Sequence, residues 1–270
     1  MRRSAATPNL LTALLTMVAL FALTGYQVTS EAAATRLLGR LGAALVELDR
    51  WLPEHRDDIA LLASDRPDAT VAVHDLPVGL VLPSAEVLAA GEGSALRDLV
   101  VDTMGRTLYT DGTGAFRDAD GEPRSLGFDE PVRWSVMLLQ RGMHSVWQAV
   151  LPITVLLLLA PVAGVLLAGR SPLMPLAIGA GLAAAASLSV WFLADTASGA
   201  FEGAVDKETM LILRDGAWIG LRNSLAVTVT GAGLMVLISI MGKPRVPQRA
   251  WRTPAPTPAP VDIDTDTTSA

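Results

Sequence analysis

The side chains that could hold a metal ion lie mostly between residues 29 and 146. His55 has three acidic neighbours in sequence, Glu54, Asp57 and Asp58, and the other histidines of the chain are His74 and His144. A metal site needs three or four ligands that converge on one point, and these spacings match no recognised metal motif. The chain also has no cysteine, which excludes disulfides and thiolate chemistry. We therefore predict a solvated charged surface here, with no metal and no other cofactor.

Three short motifs resemble known reactive or binding motifs, and each lacks part of the pattern. Residues 179–184 match a dinucleotide fingerprint, but they lie inside an apolar run without a preceding strand. Residues 169–173 begin like a nucleophile elbow and lack its final glycine. Residues 118–121 resemble part of a calcium loop whose first and twelfth positions would be Phe116 and Gly127. These departures predict a protein that is not an enzyme.

Four apolar runs are long enough to cross a bilayer as helices. They occupy residues 10–28, 147–168, 174–194 and 223–242. At 1.5 Å per helical residue, about 20 residues cross a hydrocarbon core of about 30 Å. The second and third runs are joined by a short turn, residues 169–173, which holds Arg170. No Asp, Glu, Lys, Arg or His lies inside the four runs, which argues against a proton-coupled transporter and an intramembrane protease.

The distribution of basic residues predicts the orientation of the chain. In the short segments they fall on one side of the predicted spans, at Arg2, Arg3, Arg170, Lys243, Arg245, Arg249 and Arg252. The positive-inside rule therefore predicts a cytosolic N-terminus, residues 1–9, and a cytosolic tail, residues 243–270, in the cell membrane. The tail is rich in proline and threonine and is predicted to be disordered. No cleavage site follows residues 10–28 promptly, so we expect them to remain as an uncleaved signal anchor.

Residues 29–146 are predicted to form a small extracytoplasmic α+β domain between transmembrane helices 1 and 2. This segment holds 11 basic and 19 acidic residues. Apolar residues at helical spacing between Leu37 and Trp51 predict an amphipathic helix that continues from the first span, and Pro53 is expected to begin a second helix. Strands are predicted at residues 70–73 and 78–82, and helices at residues 84–90 and from Pro131 onwards.

A β-hairpin is also predicted at residues 99–110. Val100 and Val101 would pair with residues 107–109 across a turn that holds Gly105. This hairpin resembles one found in PAS-like and Cache-like extracytoplasmic sensor domains. The resemblance implies that the outer domain has a sensing role.

The third span carries small residues that favour close helix packing. Gly179, Ala183 and Ala186 are predicted to face another helix, either in the same bundle or in a second copy of the chain. The segment that follows, residues 195–222, is predicted to be an extracytoplasmic loop with a helix on the membrane surface.

The function predicted from these features is non-catalytic. We expect an extracytoplasmic sensing or scaffolding module that acts through a separate protein partner, or as a homo-oligomer through the third span. The lipid bilayer surrounds it, and a net charge of −6 argues against nucleic acid as a partner. An alternative is a subunit of a membrane transport machine, since the outline is similar to that of FtsX-like and MacB-like ABC permeases. Those permeases contact their ATPase through the segment between spans two and three.

Overall fold

A computed structural model describes residues 6–73, 76–91, 93–116 and 130–241. Within these ranges the chain is mostly helical, with a single two-stranded sheet. In chain order the elements are α1 (Ala6–Val28), α2 (Glu31–Leu45), α3 (Leu48–Asp65), β1 (Thr70–Val73), β2 (Leu80–Pro83), α4 (Ser84–Ala90), α5 (Ser94–Asp111), a 3₁₀ turn (Gly112–Ala115), α6 (Glu130–Leu139), α7 (Arg141–Leu167), α8 (Leu173–Ala200) and α9 (Ala204–Met241).

Four helices, α1, α7, α8 and α9, are long and apolar enough to cross a membrane, which suggests a multi-pass membrane protein. Large apolar side chains cover their outer surfaces, among them Leu156, Leu193 and Val229, each more than 60% exposed. Exposure of such continuous apolar surfaces to water is unfavourable in free energy, whereas contact with lipid chains carries no such cost. The prediction of four spans is confirmed at this level.

Helix α1 contacts each of the other three spans. Its buried side includes small residues such as Ala13 and Ala22, and the buried hydroxyls of Thr12 and Thr16. Both hydroxyls donate to carbonyl oxygens of their own helix, Thr12 to Pro8 at 2.8 Å and Thr16 to Thr12 at 2.7 Å. This helix can therefore pack closely against its neighbours without leaving a polar group unpaired.

The segment between the first two spans, residues 31–139, is called the head below. Its core is formed by apolar side chains from α2, α3, α5, α6 and the hairpin, including Leu38, Leu48, Leu82, Met104, Leu108 and Val136. Strands β1 and β2 pair antiparallel, with Val71 opposite Leu82. Leu80 and Leu82 face the core while Val81 is exposed, which is the alternation that strand geometry requires.

The head differs from the predicted α+β domain, because its described residues form helices and one small hairpin. The strands at Thr70–Val73 and Leu80–Pro83 lie where strands were predicted, and α4 matches the predicted short helix. The second hairpin, at residues 99–110, is wrong, because these residues lie in α5. Four buried residues of α5 recur at every fourth position, Leu96, Val100, Met104 and Leu108, and form one helical stripe against the core.

Three further predictions are corrected by the helix boundaries. The segment 195–222, predicted to be a loop with a surface helix, is helical except at residues 201–203, because α8 continues to Ala200 and α9 begins at Ala204. The amphipathic helix does not continue from the first span, since Thr29 and Ser30 separate α1 from α2. Pro53 lies inside α3, which begins earlier, after Glu47 in a left-handed conformation with φ of 47°. His74, the calcium-like residues 118–121 and the tail at 243–270 lie outside the described residues.

Helices α2 and α5 cross at glycines. A Cβ built on Gly105 would collide with the carbonyl oxygen of Thr35 and lie 3.0 Å from the Gly39 nitrogen. A Cβ on Gly39 would lie 2.5 Å from the carbonyl oxygen of Val101. Because the obstructing atoms belong to the backbone, neither position can accept a side chain without moving a helix.

We expect Gly105→Ala to destabilise the head by about 1–3 kcal/mol, since overpacking forces α2 and α5 apart. The matched control is Gly142→Ala in the first turn of α7, where an added Cβ meets nothing within 4 Å. Limited proteolysis at increasing urea concentrations, followed on the purified protein in detergent, measures the effect. Equal protease resistance of the two variants would show that the helices do not approach so closely at Gly105.

Candidate functional site

The head meets the spans through a set of contacts that we call the joint, formed by α2, α6 and the head-side ends of the four spans. Its charged part is a chain of ion pairs. Arg40 of α2 contacts Glu208 and Asp215 of α9, with N–O distances of 2.6 and 2.9 Å. Arg214 of α9 contacts Asp195 of α8 at 3.1 Å and Asp215 at 3.4 Å. These five side chains connect the head to the hairpin of α8 and α9.

Arg40 matters most to this network because its partners are not fully solvated. The Glu208 side chain is only 16% exposed, and its Oε1 atom is buried. That oxygen has no well-directed hydrogen bond, so the guanidinium of Arg40 compensates its charge as an ion pair. The second contact, to Asp215, is a hydrogen bond donated by Nη1 of Arg40. Removal of Arg40 would leave the partly desolvated carboxylate of Glu208 without a partner, which would destabilise the folded protein.

The apolar part of the joint extends the core of the head into α9. Ile212 is 7% exposed and belongs to the same buried cluster as Leu38 and Met104 of the head. Val205, which lies seven residues before Ile212 on α9, also packs against that cluster. The spacing of Val205, Glu208, Ile212 and Asp215 places them along one face of the helix. One face of α9 is therefore specified for contact with the head.

Polar side chains connect the spans to one another at the same level. Nδ1 of His144, on α7, lies 3.2 Å from Oγ1 of Thr29, and its ring stacks on Tyr26 of α1 with centroids 4.8 Å apart. The Nδ2 amide of Asn223, on α9, donates to Oε1 of Gln27 at 2.8 Å. These contacts fix α7 and α9 against the end of α1, where the chain leaves the first span.

Two side chains in the described part of the head have shifted pKa values, and neither acts as a switch at physiological pH. The hydrogen bond from Nε of Arg97 to Asp49 raises the pKa of Arg97, so it stays charged. Burial raises the pKa of Tyr109, and the charge of Glu31 adds to this while Arg141 opposes it, so the phenol stays neutral.

An apolar pocket of about 440 Å³ lies within the joint. It is bounded by α1, α6, α7, α8 and α9, and its lining includes Phe21, Trp134, Leu138, Trp147, Val190 and Leu213. Its volume is in the range of small-molecule sites. It contains no charged side chain among its described lining residues.

The small residues of the third span, α8, are buried to different extents. Gly179 and Ala183 are buried, Ala186 is half-buried, and Leu182 is 54% exposed. A Cβ on Gly179 would collide with the carbonyl oxygen of Ala13 and lie 2.8 Å from Cβ of Thr16, so this glycine faces α1 of the same chain.

The acidic cluster around His55 has a different environment from a metal centre. The His55 ring stacks on Trp51 with centroids 4.3 Å apart, and its Nδ1 lies 2.9 Å from the Trp51 carbonyl oxygen. Within the described ranges no group of three or more potential ligands converges on a point. Charged side chains do converge around Arg40, and this cluster was not predicted from the sequence. The spacing of Glu208 and Asp215 on an amphipathic stretch is a weak signal for it.

Comparison of the chain with protein-family models, with curated proteins and with solved structures gave no match.

We expect Gly179→Leu to lower the stability of the folded protein in detergent by about 1–3 kcal/mol, because the new side chain must separate α8 from α1. Gly181→Leu is the matched control: it adds the same side chain two residues away, where a Cβ meets nothing within 4 Å. Thermal unfolding of both variants and the parent gives the comparison. A Gly179→Leu protein as stable as the Gly181→Leu protein would contradict the close contact.

Proposed function

We propose that this protein is a non-catalytic membrane module whose head senses or scaffolds outside the cell membrane and acts through a separate protein partner. One observation carries the proposal: α9 is a single helix that contributes Ile212 to the core of the head and then continues through the spans. A change in the packing of the head therefore acts directly on a helix that reaches the opposite side of the bilayer.

The other connections between head and spans are short. Two residues, Thr29 and Ser30, separate α1 from α2, and Gln140 alone separates α6 from α7. Three of the four spans are thus attached to the head either directly or across one or two residues. A ligand or partner that favours a different arrangement of the head would shift these spans by its difference in affinity for the two arrangements.

The proposed orientation places the head outside and both termini in the cytosol. The start of α1, the turn between α7 and α8 and the end of α9 all lie at the ends of the spans away from the head. The basic residues Arg2, Arg3, Arg170 and those between Lys243 and Arg252 are adjacent to these ends in sequence. This asymmetry supports the orientation under the positive-inside rule.

The partner is proposed to be a different protein rather than a second copy bound through Gly179. The α8 face that carries Gly179 and Ala183 lies against α1, so a homo-oligomer through this face would have to displace α1. The transport-machine alternative has less support, because the segment between α7 and α8 spans residues 168–172. Five residues leave no room for a segment that contacts an ATPase.

The coupling is tested by distances between spin labels, which the native chain allows because it has no cysteine. One pair, at Arg36 and Lys207, reports on the contact between head and α9; a second pair, at Leu10 and Ile240, reports on the far ends of α1 and α9. Arg40→Glu places a third carboxylate beside Glu208 and Asp215 and should weaken the joint by about 1–3 kcal/mol or more. We expect both distance distributions to shift in lipid nanodiscs.

The control is Arg56→Glu, whose arginine pairs with the exposed neighbour Asp57 on α3. This variant should leave both distributions unchanged. If Arg40→Glu moves the first pair and leaves the second at its parent distance, the head is not coupled to the far ends of the spans, and the proposal fails.

A reporter experiment tests the orientation separately. A reporter that is active only in the cytosol should function when fused after Pro247 and remain silent when inserted at Thr113 in the head. The opposite pattern would reverse the proposed topology.

A further inference from the structure

We propose that the apolar pocket of the joint is a binding site for an acyl chain of a membrane lipid. This proposal does not depend on the sensing function. Its starting point is the position of the pocket, which five helices enclose where the head-side ends of the spans meet α6. The pocket has a volume of about 440 Å³, and its lining includes Phe21 and Val190, which lie on two helices long and apolar enough to cross a membrane.

The chemistry of the lining selects an apolar occupant. Three of its hydroxyl groups already donate to backbone carbonyl oxygens four residues earlier: Thr24 to Leu20, Thr29 to Gly25 and Thr209 to Val205, at 2.8–2.9 Å. The remaining walls are largely aliphatic and aromatic. A polar ligand would lose its hydrogen bonds to water here and gain few in return, whereas a hydrocarbon chain loses nothing.

The pocket is continuous with the lipid-facing surface of the spans. Phe21 of α1 and Val190 of α8 line the pocket, and they are also 39% and 38% exposed on helices that are candidate spans. Side chains of this kind are covered by acyl chains in a bilayer. A chain at this surface can therefore move sideways into the pocket without crossing water.

Helix α6 provides the head-side wall and has two apolar faces. Val132, Val136 and Leu139 are buried in the core of the head. Trp134 and Leu138 point away from that core, are more than half exposed, and line the pocket. Tryptophan is enriched at the boundary between hydrocarbon and headgroups, which fits a lipid seated beneath α6.

The packing of Trp147 sets one boundary of the pocket. A Cβ on Gly25 would lie within 2.8 Å of the Trp147 indole, so the ring rests directly on the backbone of α1. By contrast, a Cβ on Gly216, across the pocket on α9, would have Val28 as its nearest neighbour at 3.8 Å. The free space of the pocket thus lies beside Gly216, where a larger side chain can replace a ligand without displacing backbone.

The test uses the full-length protein in nanodiscs that contain a phospholipid with a diazirine on its acyl chain. Photolysis and peptide mapping should concentrate the label on α6 and on α9 near Leu213. Gly216→Phe fills the pocket and should reduce that labelling roughly tenfold, the change expected for a loss of about 1.4 kcal/mol. Gly233→Phe, on the same helix but in open space, should label like the parent.

Native mass spectrometry after detergent washing gives a second readout. The parent and Gly233→Phe should retain an adduct with the mass of the phospholipid, and Gly216→Phe should lose it. If Gly216→Phe unfolds, as judged by thermal unfolding, Ala217→Phe fills the same pocket from the next position and replaces it. Equal labelling and retention in pocket-filled and control variants would overturn the proposal, as would an adduct with the mass of a free fatty acid.

Discussion

Helix α9 is longer than a membrane is thick, and much of the structure follows from this mismatch. Its 38 residues span about 57 Å, against a hydrocarbon core of about 30 Å. The surplus carries Asp206, Lys207, Glu208, Arg214 and Asp215, which hydrocarbon would not accept. The head covers this surplus, with Ile212 in its core and Arg40 beside the two carboxylates. The head and the spans are consequently one packed unit, and not a soluble domain joined to a bundle by linkers.

Close approach of backbones at glycine occurs on both sides of the joint, in two different solvents. In the head, Gly39 and Gly105 let α2 and α5 cross within contact of each other's carbonyl oxygens. Among the spans, Gly179 does the same for α8 against Ala13 of α1. Burial of Leu38 and Met104 adds a hydrophobic contribution in the head, whereas the spans associate by packing, because lipid is as apolar as they are. A lost glycine contact is therefore harder to compensate within the spans.

Local sequence patterns predicted the secondary structure correctly where a segment's own residues determine it. Uninterrupted apolar runs identified the four spans, and β-branched and apolar runs at residues 70–73 and 78–82 predicted the two strands that form the small hairpin. The predicted strand at Val100 and Val101 is wrong. Their β-branched side chains favour strands by propensity, although the stripe from Leu96 to Leu108 has helical spacing. The charges in residues 195–222 suggested a loop, because their partner Arg40 lies 175 positions away from Asp215. The joint is a product of tertiary contacts, which no local pattern encodes.

The packing of α1 against α8 also has a consequence for how the protein is made. Ala13 and Thr16 are synthesised more than 160 residues before Gly179, which covers them. At roughly 5–20 residues per second, α1 resides in the bilayer for about 10–30 s before its partner has been translated. The hydroxyls of Thr12 and Thr16 already donate to carbonyl oxygens of their own helix. The face of α1 that later contacts α8 can therefore be exposed to lipid without an unpaired donor. The first helix can therefore be inserted early and complete its packing late.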